Sequence, residues 1–270
     1  MIIFLHVPKT AGSTFQFVLE NSFGIAHCHT FQIRKPVFDR QDLRFARKVF
    51  PWMRSLGGGN IIDPLELGAP NPFYLTLLRE PVARAFSHYQ HLARMGHEKS
   101  FEEMLRVKGV LSNLQVKWMS GGAGLDKAKF FLEKCGFVGL TEKFDLSLEA
   151  LGRLSPYPLK LGYRRKQIAP DNTVKKRLES DPRIVELARE YNQLDLELYS
   201  FAAQEIFPKL CAKAGLSPSD KVASHESQAQ GPSLNYRLGR LYNRVFRQMT
   251  KLRPKREVVS ANRFSDELIS

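Results

Sequence analysis

The sequence predicts an α/β fold in which a parallel sheet is wrapped by helices. Three observations carry this. Short apolar runs, IIFLHV (2–7), FYLTLL (73–78) and FVGL (137–140), read as buried strands. Each is followed by residues whose apolar positions recur at helical spacing, so strands and helices alternate. The 270 residues are 43% hydrophobic and 25% charged, which suits one well-buried globular domain.

The first strand runs into HVPKTAGSTF (6–15), and Phe15, Val18, Leu19 and Phe23 place a helix from near Ser13 or Thr14. Residues 24–72 show no clear strand. They hold a basic helical stretch around 41–54, the run Gly57-Gly58-Gly59 and several prolines. The strand at 73–78 ends at Arg79, and Pro81 opens a helix to about Met95. Helices are expected at 101–107, 112–119 and 142–154. Ile184, Leu187, Ala188, Tyr191, Leu194, Leu198 and Phe201 mark one long core-facing helix.

The domain is therefore read as residues 1–215, followed by a polar linker over 216–233 and a C-terminal extension, 234–270. In the extension Leu234, Leu238, Leu241, Val245, Met249 and Leu252 recur at steps of three or four. Arg237, Arg240, Arg244, Arg247 and Lys251 occupy its other faces, making a basic amphipathic helix. Its apolar stripe is expected to dock on the domain or on a second subunit, in preference to an anionic membrane.

Charge narrows the partners. With 41 Lys and Arg against 27 Asp and Glu, the net charge is +14. That favours a nucleotide, an acidic or sulfated glycan, a nucleic acid or an anionic membrane surface. Cys28, Cys135 and Cys211 are isolated, which argues against a disulfide framework and an ordinary zinc site. No metal-ligand cluster is expected. There is no apolar run of about 18 residues and no basic-then-apolar leader, so a reduced, cytoplasmic protein is expected.

A strand entering a small-residue loop and then a helix is a device for holding phosphate. The helix's first N–H groups lack intrahelical partners and its dipole favours an anion. Gly12 permits close backbone approach, Lys9 adds a mobile charge, and Thr10, Ser13 and Thr14 offer hydroxyls. The loop departs from the nucleoside-triphosphate pattern G-x-x-x-x-G-K-[ST], because its lysine precedes the glycine by three positions. A related but different anion is implied. REPVARAFSHY (79–89) sets Arg79 at a strand end and Arg84 and Ser87 one helical step apart, which suits a second phosphate.

HVPKTAGSTF and LLREPVARAFSHY together resemble the two cofactor signatures of sulfotransferases that use 3′-phosphoadenosine 5′-phosphosulfate. The similarity is to the group containing heparan sulfate 2-O- and 6-O-sulfotransferases and bacterial relatives. NLQVKWMSG (113–121), FVGLTEKFDLSL (137–148) and NQLDLELYSFA (192–202) resemble it too, so the likeness spans about residues 1–210. It implies a three-layer, P-loop-like fold and sulfuryl transfer, without a metal, to a hydroxyl on a glycan, glycolipid or small acceptor. It also implies a bacterial, cytoplasmic enzyme.

The resemblance assigns the 5′-phosphosulfate to Pro8, Lys9, Thr10, Ala11, Gly12, Ser13 and Thr14, with Lys9 neutralising the leaving oxygen. It assigns the 3′-phosphate to Arg79 and Ser87, and a loop closing over the nucleotide to Arg164, Arg165 and Lys166. Many such enzymes carry Gly-His where this chain has Gly59-Asn60. An asparagine is no general base. His29 is the leading substitute and His27 the second, while Asn60 is left to orient the acceptor. His6 is expected to shape the loop. Asn113 and Gln115 face either the acceptor or the packing. Two other readings stay open: a kinase-like transferase, and a polyanion-binding relative without catalysis.

Overall fold

The computed structural model describes residues 1–33, 35–107, 110–163, 172–226 and 233–251. The chain begins β1 (Ile2–Leu5), α1 (Gly12–Phe23), β2 (His27–His29), α2 (Arg40–Val49), β3 (Ser55–Gly58) and β4 (Phe73–Leu78). It continues with α3 (Pro81–Arg94), α4 (Phe101–Arg106), α5 (Leu114–Ser120), α6 (Leu125–Lys134), β5 (Phe137–Leu140) and α7 (Phe144–Leu154). Then come α8 (Thr173–Glu179), α9 (Pro182–Tyr191), α10 (Gln193–Phe201), α11 (Phe207–Lys213) and α12 (Leu234–Lys251). The strands make one parallel sheet in the order β2-β3-β1-β4-β5.

Both faces of that sheet are covered, which is why β1 at its centre is apolar throughout. Ile3 and Leu5 of β1 point into a core shared with α2, α5, α6, α10 and α12. Ile2 and Phe4, one residue out of phase, meet α1 and α7 on the other face. A satellite core under α3, α4 and α9 contains Phe86, Phe101, Leu105 and Ala188. Local signals set the helix starts. Pro81 opens α3 behind Glu80, whose carboxylate accepts from the N–H groups of Val82 and Ala83. Asp39 with Asp42, and Ser100 with Glu103, form reciprocal caps on α2 and α4.

The three expected strands are β1, β4 and β5, and the sheet adds β2 and β3 from the region that showed none. β2 is three residues long. β3 contains glycines because its neighbours crowd it. A Cβ on Gly58 would lie 2.0 Å from Thr30 Oγ1, and one on Gly57 3.0 Å from Gln16 Oε1. The single long helix expected across 184–201 is two, α9 and α10, parted at Asn192. Part of the expected linker is tied down: the Tyr163 N–H donates to the His225 carbonyl at 3.2 Å, and the His225 N–H to Asp145 at 3.0 Å.

Helix α12 docks on the domain, but not by the stripe expected from the sequence. Tyr236, Gly239, Tyr242, Asn243 and Phe246 face inward, with Phe246 against Phe45 and Phe50. Leu234, Leu238, Leu241, Val245 and Met249 face solvent. Leu252 and the tail beyond it lie outside the described residues. The Asn243 amide closes the open edge of β2, donating to the His27 carbonyl at 2.9 Å and accepting from the His29 N–H at 2.8 Å. Among the described residues no helix is long and apolar enough to cross a membrane.

Gly239 crosses the end of α1 so closely that a Cβ there would lie 2.5 Å from the Gly24 backbone. Gly239→Ala should therefore cost about 1–3 kcal/mol as the helix shifts off its seat. Thermal melting and limited proteolysis within α12 check this, and an unchanged melting temperature with protected α12 would refute it.

Candidate active site

Strand order locates the site. From β1 the chain turns toward β2 and β3, and from β4 it turns toward β5, so the carboxyl ends of adjacent β1 and β4 open a crevice. A cleft of roughly 500 Å³ lies there. The loop after β1 lines it with His6, Lys9, Ala11, Gly12, Ser13 and Thr14, and the β4 side contributes Arg79 and Ser87. Thr141, Glu142, Phe144, Asp145 and Tyr163 form the opposite wall.

The first loop is wound tightly. Lys9 and Ala11 both take left-handed backbone, at φ 69° and 62°, which costs non-glycine residues about 1 kcal/mol each. Buried Thr10 pins the turn by donating its hydroxyl to the Val7 carbonyl at 2.9 Å. Gly12 has no room for a side chain, since a Cβ would lie 1.9 Å from the His6 ring. The first turn of α1 thus faces the cleft with its N–H groups.

Arg79 is fixed by a single amide. The Arg79 N–H donates to Gln115 Oε1 at 3.0 Å and the Arg79 carbonyl accepts from Gln115 Nε2 at 3.0 Å. Its guanidinium reaches back to the Lys9 carbonyl at 3.2 Å, joining the two halves of the cleft. Gln115 is itself held by buried Asp195, whose carboxylate accepts from the N–H groups of Gln115 and Val116 at 3.0 and 2.8 Å. Arg84 does not line the cleft. It is fully buried, donates to the Leu111 carbonyl at 2.5 Å and has its Nε 4.0 Å from Asp195.

The electrostatics are those of crowded cations. Burial, then Arg79 and Arg94, pull the Lys9 ammonium below its ordinary pKa. Burial lowers Arg79 too, against the opposing pull of Glu142, Glu80 and Glu179. Burial is likewise the largest cause at Arg84, lowered to about 10 and still charged at neutral pH. The two acids of the far wall are already engaged. Glu142 accepts from the Glu80 N–H and the Tyr199 hydroxyl, both at 2.9 Å, and Asp145 from the Tyr163 hydroxyl at 3.1 Å.

The candidate proton acceptors separate. His29 stands at the end of β2, outside the cleft lining, with its ring 5.6 Å from that of Phe31. His27 is buried between Gln16 and Ser55, at 2.5 and 3.0 Å. Asn60 is buried away from the cleft and holds the segment after β2. Its Nδ2 donates to the carbonyls of Thr30, Ile33 and Lys35 at 3.3, 3.4 and 3.4 Å, and its Oδ1 accepts from the Thr30 hydroxyl. Pro8 belongs to the loop without lining the cleft. Arg164, Arg165 and Lys166 lie outside the described residues. Asn113 accepts from the Asp195 N–H at 3.1 Å, so it and Gln115 serve the brace.

Sequence reasoning missed His6 as a cleft residue and missed the far wall. The signal for the wall was present: Thr141 and Glu142 directly follow FVGL, at the same sheet edge as Lys9 and Arg79. Among the described residues no cluster suits a metal ion.

Burial holds His6 and His29 at about 4 and His88 at about 3. An unfolded histidine titrates near 6.5, so between about 4 and 6.5 the unfolded chain binds more protons than the folded one. Stability should therefore be complete above about 6.5 and fall with pH down to about 4. Urea midpoints across that window check this, and a flat profile would refute it.

No protein-family model matches the chain. Over 142 residues, 44% of this chain, it is 25% identical to the heparan sulfate 2-O-sulfotransferase hst-2 of Caenorhabditis elegans, of which it covers 44%. A crystal structure of a sulfotransferase from Alicyclobacillus acidocaldarius compares at TM-score 0.39 and 14% identity, over 73% of this chain and 95% of that one. The chain thus spans less than half of the curated protein it matches, and over the matched stretch it is a distant relative of a sulfotransferase.

Proposed function

We propose that the chain transfers a sulfuryl group from 3′-phosphoadenosine 5′-phosphosulfate to an acceptor hydroxyl. The observation that carries this is the joining of Lys9 and Arg79 in one crevice, each cation depressed in pKa. Two half-buried cations, each lowered chiefly by burial and Lys9 also by Arg79, are relieved by a bound anion. The cleft, at roughly 500 Å³, is of ligand size. The distant kinship to a sulfotransferase supports this anion over a nucleoside triphosphate.

On this reading the N–H groups of Gly12 and Ser13, which precede the first helical hydrogen bond from the Thr14 N–H to the Ala11 carbonyl at 3.0 Å, cradle the 5′-phosphosulfate beside Thr14. Lys9 stabilises negative charge as it develops on the oxygen bridging phosphorus and sulfur. Thr10 and Ala11 shape the turn that aims it. Arg79 and Ser87, across the cleft, hold the 3′-phosphate. The bond from sulfur to the bridging oxygen breaks as the bond from sulfur to the acceptor oxygen forms. Positioning and charge stabilisation dominate such transfers. The acceptor's proton passes to an imidazole, and both His6 and His29 are neutral at pH 7 and able to take one. The acceptor is a glycan, glycolipid or other hydroxyl compound.

Calorimetry with 3′-phosphoadenosine 5′-phosphate and with AMP tests the nucleotide assignment. Arg79→Ala should weaken the former about 10- to 100-fold and leave AMP nearly unchanged. Equal affinity of the unaltered protein for the two nucleotides would refute it. Lys9→Ala should lower kcat about 10²–10³-fold. For the proton, His6→Ala and His29→Ala are compared at constant nucleotide affinity, and the acceptor imidazole is the one whose loss lowers kcat by about 10² or more. Full turnover in both variants would remove histidine from the mechanism.

A further inference from the structure

Helix α12 carries three faces rather than two. At 3.6 residues per turn, the docked face ends near Tyr236, and Arg247, Arg240, Lys251, Arg244 and Arg237 follow over roughly 80° of circumference. The next sector, also roughly 80° wide, holds Leu241, Leu234, Val245, Leu238 and Met249. These five are exposed by 57, 73, 49, 47 and 40%, whereas Phe246 on the docked face is fully covered. A continuous row of five uncovered apolar side chains needs an explanation that scattered surface leucines do not.

Its surroundings say what covers it. The helix LNYRLGRLYNRVFRQMTK contains no acidic residue, and its basic row borders the apolar one. Only Arg240 has a carboxylate nearby among the described residues, with Glu20 at 3.5 Å. On the other border Trp52 is half-exposed, its ring 6.2 Å from that of Tyr242, which stands four residues after Leu238 and three before Val245. Apolar row, basic row and flanking tryptophan match a lipid interface: acyl boundary, anionic headgroups, and the level between them. A second copy fits less well, since antiparallel pairing of the rows would bring two arginine-rich borders together and no acidic residue on the helix would offset them. A polyanionic glycan would take the arginines and leave the leucines wet.

We propose that this face of α12 rests on an anionic lipid bilayer, with Leu234, Leu238, Leu241, Val245 and Met249 in the acyl boundary and Arg237, Arg244 and Lys251 on the headgroups. The docked face stays seated on α1, α2 and β2, so the whole domain is held at the surface by a helix lying in its plane. The proposal is independent of the nucleotide reading, because the face uses none of the cleft residues.

The full chain is tested by sedimentation with phosphatidylcholine vesicles, with and without phosphatidylglycerol, at low and high salt. Binding is expected only to the anionic vesicles and should weaken with salt. A Leu241→Gln, Val245→Gln double variant and an Arg237→Gln, Arg244→Gln double variant should each bind about tenfold more weakly or less. Both should keep the parent's melting temperature and its affinity for 3′-phosphoadenosine 5′-phosphate, since every substituted side chain is exposed. The tryptophan emission should shift to the blue on anionic vesicles, and Trp52→Phe should abolish that shift. Absence of sedimentation, or undiminished sedimentation of the leucine–valine variant, overturns the proposal. A dimer by light scattering that Leu241→Gln dissociates assigns the face to a second copy instead, and heparin retention without vesicle binding assigns it to a glycan.

Discussion

Two positive charges that repel one another, Lys9 and Arg79, are pinned at the mouth of one crevice, and the cleft is organised to keep them there. The backbone that carries each is held in place. The Lys9 backbone is wound into left-handed geometry between Val7 and Gly12, and its carbonyl is tied to the Arg79 guanidinium at 3.2 Å. The first turn of α1 adds further positive potential from its N–H groups. Such a cluster is unfavourable alone: burial lowers both cations, and Arg79 and Arg94 lower Lys9 further. A multiply charged anion reverses the sign of every one of these terms, so the same geometry that costs stability supplies affinity.

The brace behind Arg79 explains why so much buried polarity is retained. Asp195 sits at the start of α10 and caps α5 through the N–H groups of Gln115 and Val116, and Gln115 then grips both backbone groups of Arg79. Arg84 neutralises the buried carboxylate from α3. Burial still raises the Asp195 pKa, against Arg84 and the two N–H groups that lower it. A buried ion pair of this kind adds little to stability but fixes one arrangement. Here that arrangement is the direction of Arg79. The interruption at Asn192 belongs to the same device: its side chain accepts from the Asn113 N–H at 3.0 Å and donates to the Ala188 carbonyl at 2.9 Å. A continuous helix would carry Asp195 past α5.

What the sequence revealed, and what it hid, follows from which residues hold each element. β1, β4 and β5 are legible because their side chains are apolar on both faces. β3 is hidden because Gly57 and Gly58 must be small beneath Gln16, Phe4 and Thr30, and a four-residue strand that is half glycine leaves no pattern. Lys9 and Arg79 are legible from their place beyond strand ends, and Ser87 from its place on the first turns of α3. Arg84 and Gln115 look equally suited to a ligand in sequence, and only their burial against Asp195 and the Arg79 backbone separates them. In α12 the hydrophobic repeat was visible, but a repeat does not say which neighbour it meets. The face that docks reads as mixed because it uses Gly239 to pass Gly24 and Asn243 to cap an edge strand.

Those two asparagines also fix β2 and the segment that follows it. The segment from His27 to Lys35 is gripped from outside by Asn243 and from inside by Asn60, and Thr250 adds a hydrogen bond to the Gln32 carbonyl at 3.3 Å. Asn60 occupies the position where the family resemblance led to a histidine, and it has a different task. An amide offers two donors and an acceptor at one point, so with one hydrogen shared it reaches three carbonyls and a hydroxyl, more than imidazole's two ring nitrogens can. Buried unpaired carbonyls are costly, so a histidine at 60 requires a differently folded wall after β2. On the proposed reading an amide at position 60 leaves the proton to an imidazole elsewhere, and of the histidines named for that task His6, packed on Gly12, lines the cleft.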